Sequence, residues 1–160
     1  MSVRAGWSRD KKDWQNLVSA IEKNGINWNR LKNFNLSALI GVPDAPGLYM
    51  LCSTPPENKE QKLNDFFTPL YIGKSKELKT RLMGHIRKPQ RSVKDAFKIS
   101  TNIELVYTKC NIENLDEVEN CLIKAFGPIT NLINAKTEVK VVETIKASLG
   151  NFEKIKSLGD

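Results

Sequence analysis

The chain has 160 residues, of which 40% are hydrophobic and 27% are charged, and it carries a formal net charge of +7 at pH 7. These values favour one folded domain with additions over two domains, and no apolar run is long enough to cross a bilayer. The start lacks the apolar stretch of a secretory signal, and three distant cysteines argue against a disulfide framework or a zinc site. We therefore expect a cytoplasmic protein without a membrane partner.

The N-terminal part is expected to be helical. Apolar residues at helical spacing predict a helix over residues 8–24, which Ser8 can cap and Gly25 can end. A short helical stretch is expected around residues 29–40. Two prolines and a glycine then mark a turn before the first predicted strand.

The remaining elements alternate between strands and helices. Strands are predicted over residues 47–53, 69–74 and 102–109. Helices are predicted over residues 76–88 and 114–126, loops over 54–68 and 129–137, and a helical tail over 138–158. This order predicts a small sheet with helices beside it, in which the first two strands can pair as an antiparallel hairpin.

The predicted helix over residues 76–88 lies in a strongly basic segment. Residues 74–98 hold nine Lys or Arg side chains against two acidic ones, whereas the rest of the chain holds 16 of each sign. A solvated helix face would more often mix the two signs, so this placement favours nucleic acid or another phosphate-bearing partner. The candidate nucleic-acid contacts are Lys74, Lys76, Lys79, Arg87, Lys88, Arg91 and Lys94.

Glu119 falls on the apolar face of the helix over residues 114–126, between Phe126 and Ile123 around the helix axis. A carboxylate that faces a core is costly unless it is paired, hydrogen-bonded or bound to a metal. The alternatives are a buried Glu–Arg pair and a glutamate at the edge of the core.

Arg81 and His85 are four residues apart and flank the apolar stripe of the helix over residues 76–88. Two such groups side by side suit a shared anion or a proton-transfer site. A partly buried histidine beside a surface arginine is the alternative.

The strands offer two phenols. If residues 47–53 and 69–74 pair in a suitable register, Tyr49 and Tyr71 share a face, and Gly73 permits close approach of a backbone or a phosphate. Two aromatic core residues are the alternative. Two phenols, an arginine, a histidine and a carboxylate in a basic groove together suit metal-assisted hydrolysis of a phosphodiester.

These residues together resemble the GIY-YIG nuclease family over roughly residues 45–135. Gly47-Leu48-Tyr49 matches the first motif with Leu in place of Ile, and Tyr71-Ile72-Gly73 matches the second without change. The further matches are Lys74 after the second motif, Arg81 and His85 on the next helix, Glu119 in E-x-x-L-I-K, and Pro128 and Asn131 in a closing P-x-x-N.

The resemblance implies an α/β fold of the α+β kind, with a small three-stranded antiparallel sheet flanked by helices. This nuclease domain would occupy residues 45–135, after an N-terminal helical arm over 1–44. A C-terminal helical tail over 136–160 would pack on the same domain.

The resemblance also implies a metal-dependent DNA endonuclease that uses Mg²⁺ or Mn²⁺ held by Glu119. Arg81 would contact the scissile phosphate, and His85 would assist proton transfer or hold the base or phosphate. Either tyrosine could act as the general base. The implied catalytic residues are Tyr49, Tyr71, Arg81, His85, Glu119 and Asn131, the last of which would orient the site.

The long connection between Tyr49 and Tyr71, together with the Arg–His pair, most resembles the restriction-endonuclease branch of the family. We therefore expect restriction-like or host-defence cleavage of duplex DNA, which a single site achieves as a homodimer or by sequential nicking. Open alternatives are a structure-specific or single-strand-specific nuclease and an inactive nucleic-acid-binding module. An adaptor for an acidic protein leaves Glu119 unexplained.

Overall fold

The computed structural model describes residues 6–55, 67–100 and 102–134, with side chains described up to Asn131. The predicted tail over 138–158 and most of the predicted connection over 54–68 lie outside these residues. The helices are α1 (Lys11–Lys23), α2 (Leu78–Arg87), α3 (Arg91–Ile99), α4 (Leu115–Phe126) and α5 (Ile129–Asn134). The strands are β1 (Asn29–Leu31), β2 (Gly47–Ser53), β3 (Thr68–Ser75) and β4 (Ile103–Lys109).

The sheet is antiparallel, and its strand order is β1-β4-β2-β3. The α+β class is confirmed, but the sheet has four strands among the described residues, whereas the resemblance implied three. The additional strand is β1, in a stretch that we had predicted to be helical. It pairs with β4, and Arg30 forms an ion pair with the buried Glu104 of β4. Pairing with the distant strand β4 thus outweighs the helical preference expected from the local sequence.

Helices cover both faces of the central strand β2. Leu48, Met50 and Cys52 pack with α1 and α4 on one face, and Tyr49 and Leu51 pack with α2 and α3 on the other. This alternation follows from the period of two in a strand. Because β3 is an edge strand, the two faces of the sheet meet along its outer edge.

Two helices were missed in the sequence. Helix α3 follows Pro89 and buries Val93 and Ala96, while α5 occupies the segment predicted as a loop. Each is short, and packing against distant strands stabilises such helices more than their own propensity does. Helix α4 ends at Gly127, whose φ of 54° is left-handed, as its Gly-Pro sequence predicts.

Helix α1 begins later than predicted. Its N-cap is Asp10, whose side chain accepts a hydrogen bond from Lys12 N, while the Ser8 hydroxyl donates to Asp13. The helix packs on α4, with the ring centroids of Trp14 and Phe126 5.2 Å apart. The division into an arm over 1–44 and a domain from residue 45 stays a prediction, although residues 29–31 contribute a strand to the sheet.

Within the described ranges, no helix is both long and apolar enough to cross a membrane.

Candidate active site

Tyr49, Tyr71 and His85 form one aromatic cluster between the sheet and α2. Tyr49 pairs with Gly73, and Leu51 pairs with Tyr71, so the two tyrosines lie on the same face as the strand alternation predicts. Their ring centroids are 5.9 Å apart, and His85 lies 5.5 Å from Tyr49 and 5.8 Å from Tyr71. The cluster therefore brings together residues from two strands and a helix.

Two motif glycines make room for this cluster and for α2. A Cβ atom at Gly73 would collide with the Tyr49 ring, and one at Gly47 would collide with Leu78 and the carbonyl oxygen of Thr108. Gly73 was expected to admit a backbone or a phosphate, but its close neighbour is the phenol. The glycine therefore contributes to the site by positioning Tyr49.

Tyr49 and His85 form a buried hydrogen-bonded pair, with Tyr49 Oη and His85 Nε2 2.5 Å apart. Burial raises the pKa of Tyr49 well above its ordinary value, and Tyr71 raises it further. Burial, with the nearby positive charge of Arg81, lowers the pKa of His85 to about 4. Both partners are thus neutral at pH 7, and one hydrogen bond joins them.

Tyr71 has a partner that the sequence did not indicate. Gln90 Nε2 donates a hydrogen bond to Tyr71 Oη at 2.8 Å. Gln90 is the residue before α3, so this bond links the start of that basic helix to the aromatic cluster. No sequence signal marks Gln90, because the contact arises only when the chain turns at Pro89.

Arg81 lies on the exposed side of α2, one turn before His85. Both side chains line an open cavity of about 360 Å³, together with Lys88 and Gln90. Glu77 lines the same cavity, so two basic side chains and an amide donor face one carboxylate, and this balance suits an anionic ligand such as a phosphate.

Glu119 lies on the other side of the edge strand, in a group with Lys74 and Asp116. The Lys74 ammonium is 3.4 Å from Glu119 Oε1 and also bonds Asp116. Burial raises the pKa of Glu119 and Asp116 adds to this, whereas Lys74 lowers it. The carboxylate is therefore half-buried and ion-paired, and its partner is Lys74 instead of an arginine.

Lys74 has partners that the sequence did not indicate. Its ammonium lies against the two carboxylates of α4, and its contact with nucleic acid stays a prediction. The aromatic cluster and this carboxylate group interact across the edge strand, since the charge of Glu119 raises the pKa of Tyr49 and that of Arg81 lowers it.

Glu119 is the described residue that best suits a metal ligand. Its side chain is only 17% exposed, and a positive charge is already drawn to it. Among the described residues no three His, Cys, Asp or Glu side chains gather into a ligand cluster. A lone carboxylate oxygen donor suits a hard cation such as Mg²⁺, which keeps several waters, and does not suit zinc, which prefers nitrogen and sulfur ligands.

Residues 61–132 match the family model of the UvrC-like GIY-YIG domain. This segment is therefore similar to a UvrC-like GIY-YIG domain. The matched segment includes Tyr71, Arg81, His85, Glu119 and Asn131, and it begins after Tyr49. It does not distinguish a restriction-endonuclease branch.

Solved structures of one relative are also similar. They are crystal structures of the GIY-YIG N-terminal endonuclease domain of UvrC from Thermotoga maritima, bound to its catalytic divalent cation. The magnesium-bound form is 24% identical, covers 59% of this chain and 91% of that chain, and gives a TM-score of 0.42. A point mutant is 23% identical, covers 59% and 90%, and also gives 0.42. A comparison with curated proteins gave no significant match.

Asn131 touches the backbone of the edge strand. Its amide accepts a hydrogen bond from Ile72 N and donates one to Ile72 O, both at 2.7 Å. The neighbouring Thr130 hydroxyl donates to Leu70 O at 2.8 Å. Both contacts fix the strand that carries Tyr71 and Gly73, so Asn131 acts on the site through the backbone.

The other predicted nucleic-acid contacts lie on or near α2 and α3. Lys79 donates a hydrogen bond to Ile40 O at 2.8 Å, which holds it against the preceding loop. The exposed members of the set are Lys76, Arg87, Lys88, Arg91 and Lys94.

Proposed function

We propose that this chain is a metal-dependent DNA endonuclease that hydrolyses phosphodiester bonds. The observation that carries the proposal is the buried Tyr49–His85 pair beside Tyr71. His85 lies on the same helix as Arg81, and both line an open cavity. A polar pair that is 2.5 Å apart and largely removed from water suits proton transfer. The UvrC-like GIY-YIG match supports the same class of chemistry.

Tyr49 and His85 act together as the general base. As water attacks phosphorus, Tyr49 Oη accepts the water's proton and passes its own proton to Nε2 of the neutral imidazole. Burial makes a free tyrosinate costly, so Tyr49 cannot serve well without a proton acceptor behind it. The low pKa of His85 keeps that acceptor unprotonated at neutral pH.

Arg81 and Tyr71 bind the reacting phosphate. The guanidinium of Arg81 opens to the cavity and stabilises the negative charge that develops on the phosphate oxygens. The Gln90 amide donates to Tyr71 Oη, which leaves the phenol's own proton free to point at the phosphate or at water.

Glu119 would hold the divalent cation, Mg²⁺ or Mn²⁺, through its carboxylate. When bound, the cation would polarise the phosphate and stabilise the leaving oxygen. Glu119 is half-buried, which strengthens its attraction for a cation over that of a fully solvated carboxylate.

DNA binds across the basic surface of α2 and α3. We propose restriction-like cleavage of duplex DNA, which is supported by the long connection between Tyr49 and Tyr71 and by the Arg81–His85 pair. A site of this kind cuts one strand, so double-strand cleavage requires a homodimer or sequential nicking. Cleavage of branched or single-stranded DNA is the alternative that the experiment below separates.

The test incubates the full chain with supercoiled plasmid, a forked duplex and a single strand, each with Mg²⁺ and with EDTA. Glu119→Gln removes the carboxylate charge at nearly constant shape and is the matched control variant. Discrete plasmid fragments that Glu119→Gln and EDTA abolish support restriction-like cleavage, while cutting confined to the fork or single strand supports the alternative. DNA that is bound but uncut under every condition contradicts the enzymatic proposal.

A further inference from the structure

Lys74 lies between two carboxylates of the same helix. Asp116 and Glu119 are three residues apart on α4, so their side chains are neighbours on its surface. The Lys74 ammonium bonds Asp116 Oδ1 and is 3.4 Å from Glu119 Oε1, which makes the contact with Asp116 the closer one. The sequence indicated no role for Asp116.

The two carboxylates differ in exposure. The Asp116 side chain is 81% exposed, whereas that of Glu119 is 17% exposed. Asp116 therefore holds the ammonium on the solvent side of the group, and Glu119 lies deeper. A lysine side chain is long enough to move between two such partners without any change in the backbone.

An ammonium at Glu119 opposes a divalent cation there. It neutralises the carboxylate, and it repels a second positive charge at short range. Any residue that draws the ammonium toward solvent therefore raises the affinity of Glu119 for a metal.

We propose that Asp116 is a positioning residue that draws Lys74 away from Glu119 and so keeps this carboxylate open to the divalent cation. The inference rests on the proposed function, since it assigns the metal to Glu119. Asp116 acts through Lys74 and does not touch the metal. Lys74 thereby competes with the metal for Glu119, and Asp116 is the alternative partner of the Lys74 ammonium.

The test measures Mn²⁺ binding to the full chain without DNA, from the loss of the free Mn²⁺ signal in electron paramagnetic resonance. Lys74→Met removes the competitor, and we expect it to tighten Mn²⁺ binding about three- to tenfold. Asp116→Asn leaves the ammonium with Glu119 alone, and we expect it to weaken binding about three- to fivefold.

The double variant separates positioning from simple attraction between Asp116 and the metal. If Asp116 acts through Lys74, adding Asp116→Asn to Lys74→Met changes Mn²⁺ affinity by less than about twofold. Glu117→Gln is the matched control, because it removes one charge from the same turn of α4 at a residue that pairs with Lys23. It too is expected to change affinity by less than about twofold.

Two results overturn the inference while leaving the proposed function intact. One is a Lys74→Met variant that binds Mn²⁺ no more tightly than the parent chain. The other is an Asp116→Asn effect of the same size with and without Lys74. If the parent chain binds no Mn²⁺ at millimolar concentration, the metal assignment of the proposed function falls together with the inference.

Discussion

The aromatic ring of Tyr49 covers Gly73, its partner across the ladder between β2 and β3. A Cβ atom at Gly73 would collide with Cζ and Oη of Tyr49, and this oxygen is the one that lies 2.5 Å from His85 Nε2. The glycine of the second motif therefore leaves the space in which the Tyr49 hydroxyl, the proposed acceptor of the water's proton, lies.

We expect Gly73→Ala to lower the free energy of unfolding by about 1–3 kcal/mol, the usual effect of overpacking a buried site. Urea unfolding measures this loss. Gly84→Ala is the matched control, because a Cβ atom there meets nothing within 4 Å and alanine favours a helix. Equal stability of the two variants would show that Tyr49 does not need the space above Gly73.

The low pKa of His85 predicts a loss of stability in mild acid. The folded-state pKa of about 4 lies below the ordinary histidine pKa of 6.5, so the unfolded chain binds a proton first as the pH falls. The stability associated with the neutral imidazole is therefore present above pH 6.5 and is lost as the pH falls toward about 4. The groups that face this imidazole are Tyr49, Tyr71 and Arg81.

Urea unfolding of the parent chain and His85→Gln at about pH 7.5 and about pH 5 checks this prediction. The parent chain should lose more stability between the two values than the variant does, since the amide of glutamine does not titrate. The same loss in both proteins would mean that His85 does not contribute to the pH dependence.

Gln90 is expected to position Tyr71. Gln90→Leu keeps the approximate shape but removes the donor to Tyr71 Oη, and we expect the rate of DNA cleavage to fall about three- to tenfold. In a Tyr71→Phe background the same change should have little further effect, because the acceptor is already gone. Independent effects of the two substitutions on the cleavage rate would assign Gln90 a separate role.

Asn131 is expected to protect the backbone of β3. Asn131→Ala removes both hydrogen bonds to Ile72, so we expect the free energy of unfolding to fall by about 1–3 kcal/mol. Amide hydrogen exchange at Ile72 reports the loss directly, since Asn131 accepts from this N–H. Thr130→Ser keeps its donor to Leu70 O and serves as the control. Unchanged exchange at Ile72 in Asn131→Ala would contradict the contact.

Strand alternation and helical spacing were enough to place several site residues. The period of two put Tyr49 and Tyr71 on one face, and the four-residue spacing put Arg81 and His85 on one side of α2. Both are local properties of one element or of one hairpin. The position of Glu119 at the edge of a buried face followed from helical spacing in the same way.

The partners of these residues depend on contacts between distant segments. Lys74 meets Glu119 across 45 positions of the chain, and Gln90 meets Tyr71 across 19. Strand β1 likewise depends on a distant segment, because it pairs with β4. The charge of Arg30 in β1 also pairs with the carboxylate of Glu104 in β4. No local pattern in the sequence specifies such pairs.

Single-turnover cleavage by Tyr49→Phe, with Mg²⁺ and the form of DNA that the parent chain cuts, tests the proposed chemistry most directly. The matched control is Tyr107→Phe, which removes a hydroxyl from the buried tyrosine that pairs with Tyr49 in the same sheet. We expect the rate to fall about 100-fold or more in Tyr49→Phe and to stay within about threefold of the parent in Tyr107→Phe. Cleavage by Tyr49→Phe at the rate of Tyr107→Phe would contradict the role of the Tyr49–His85 pair.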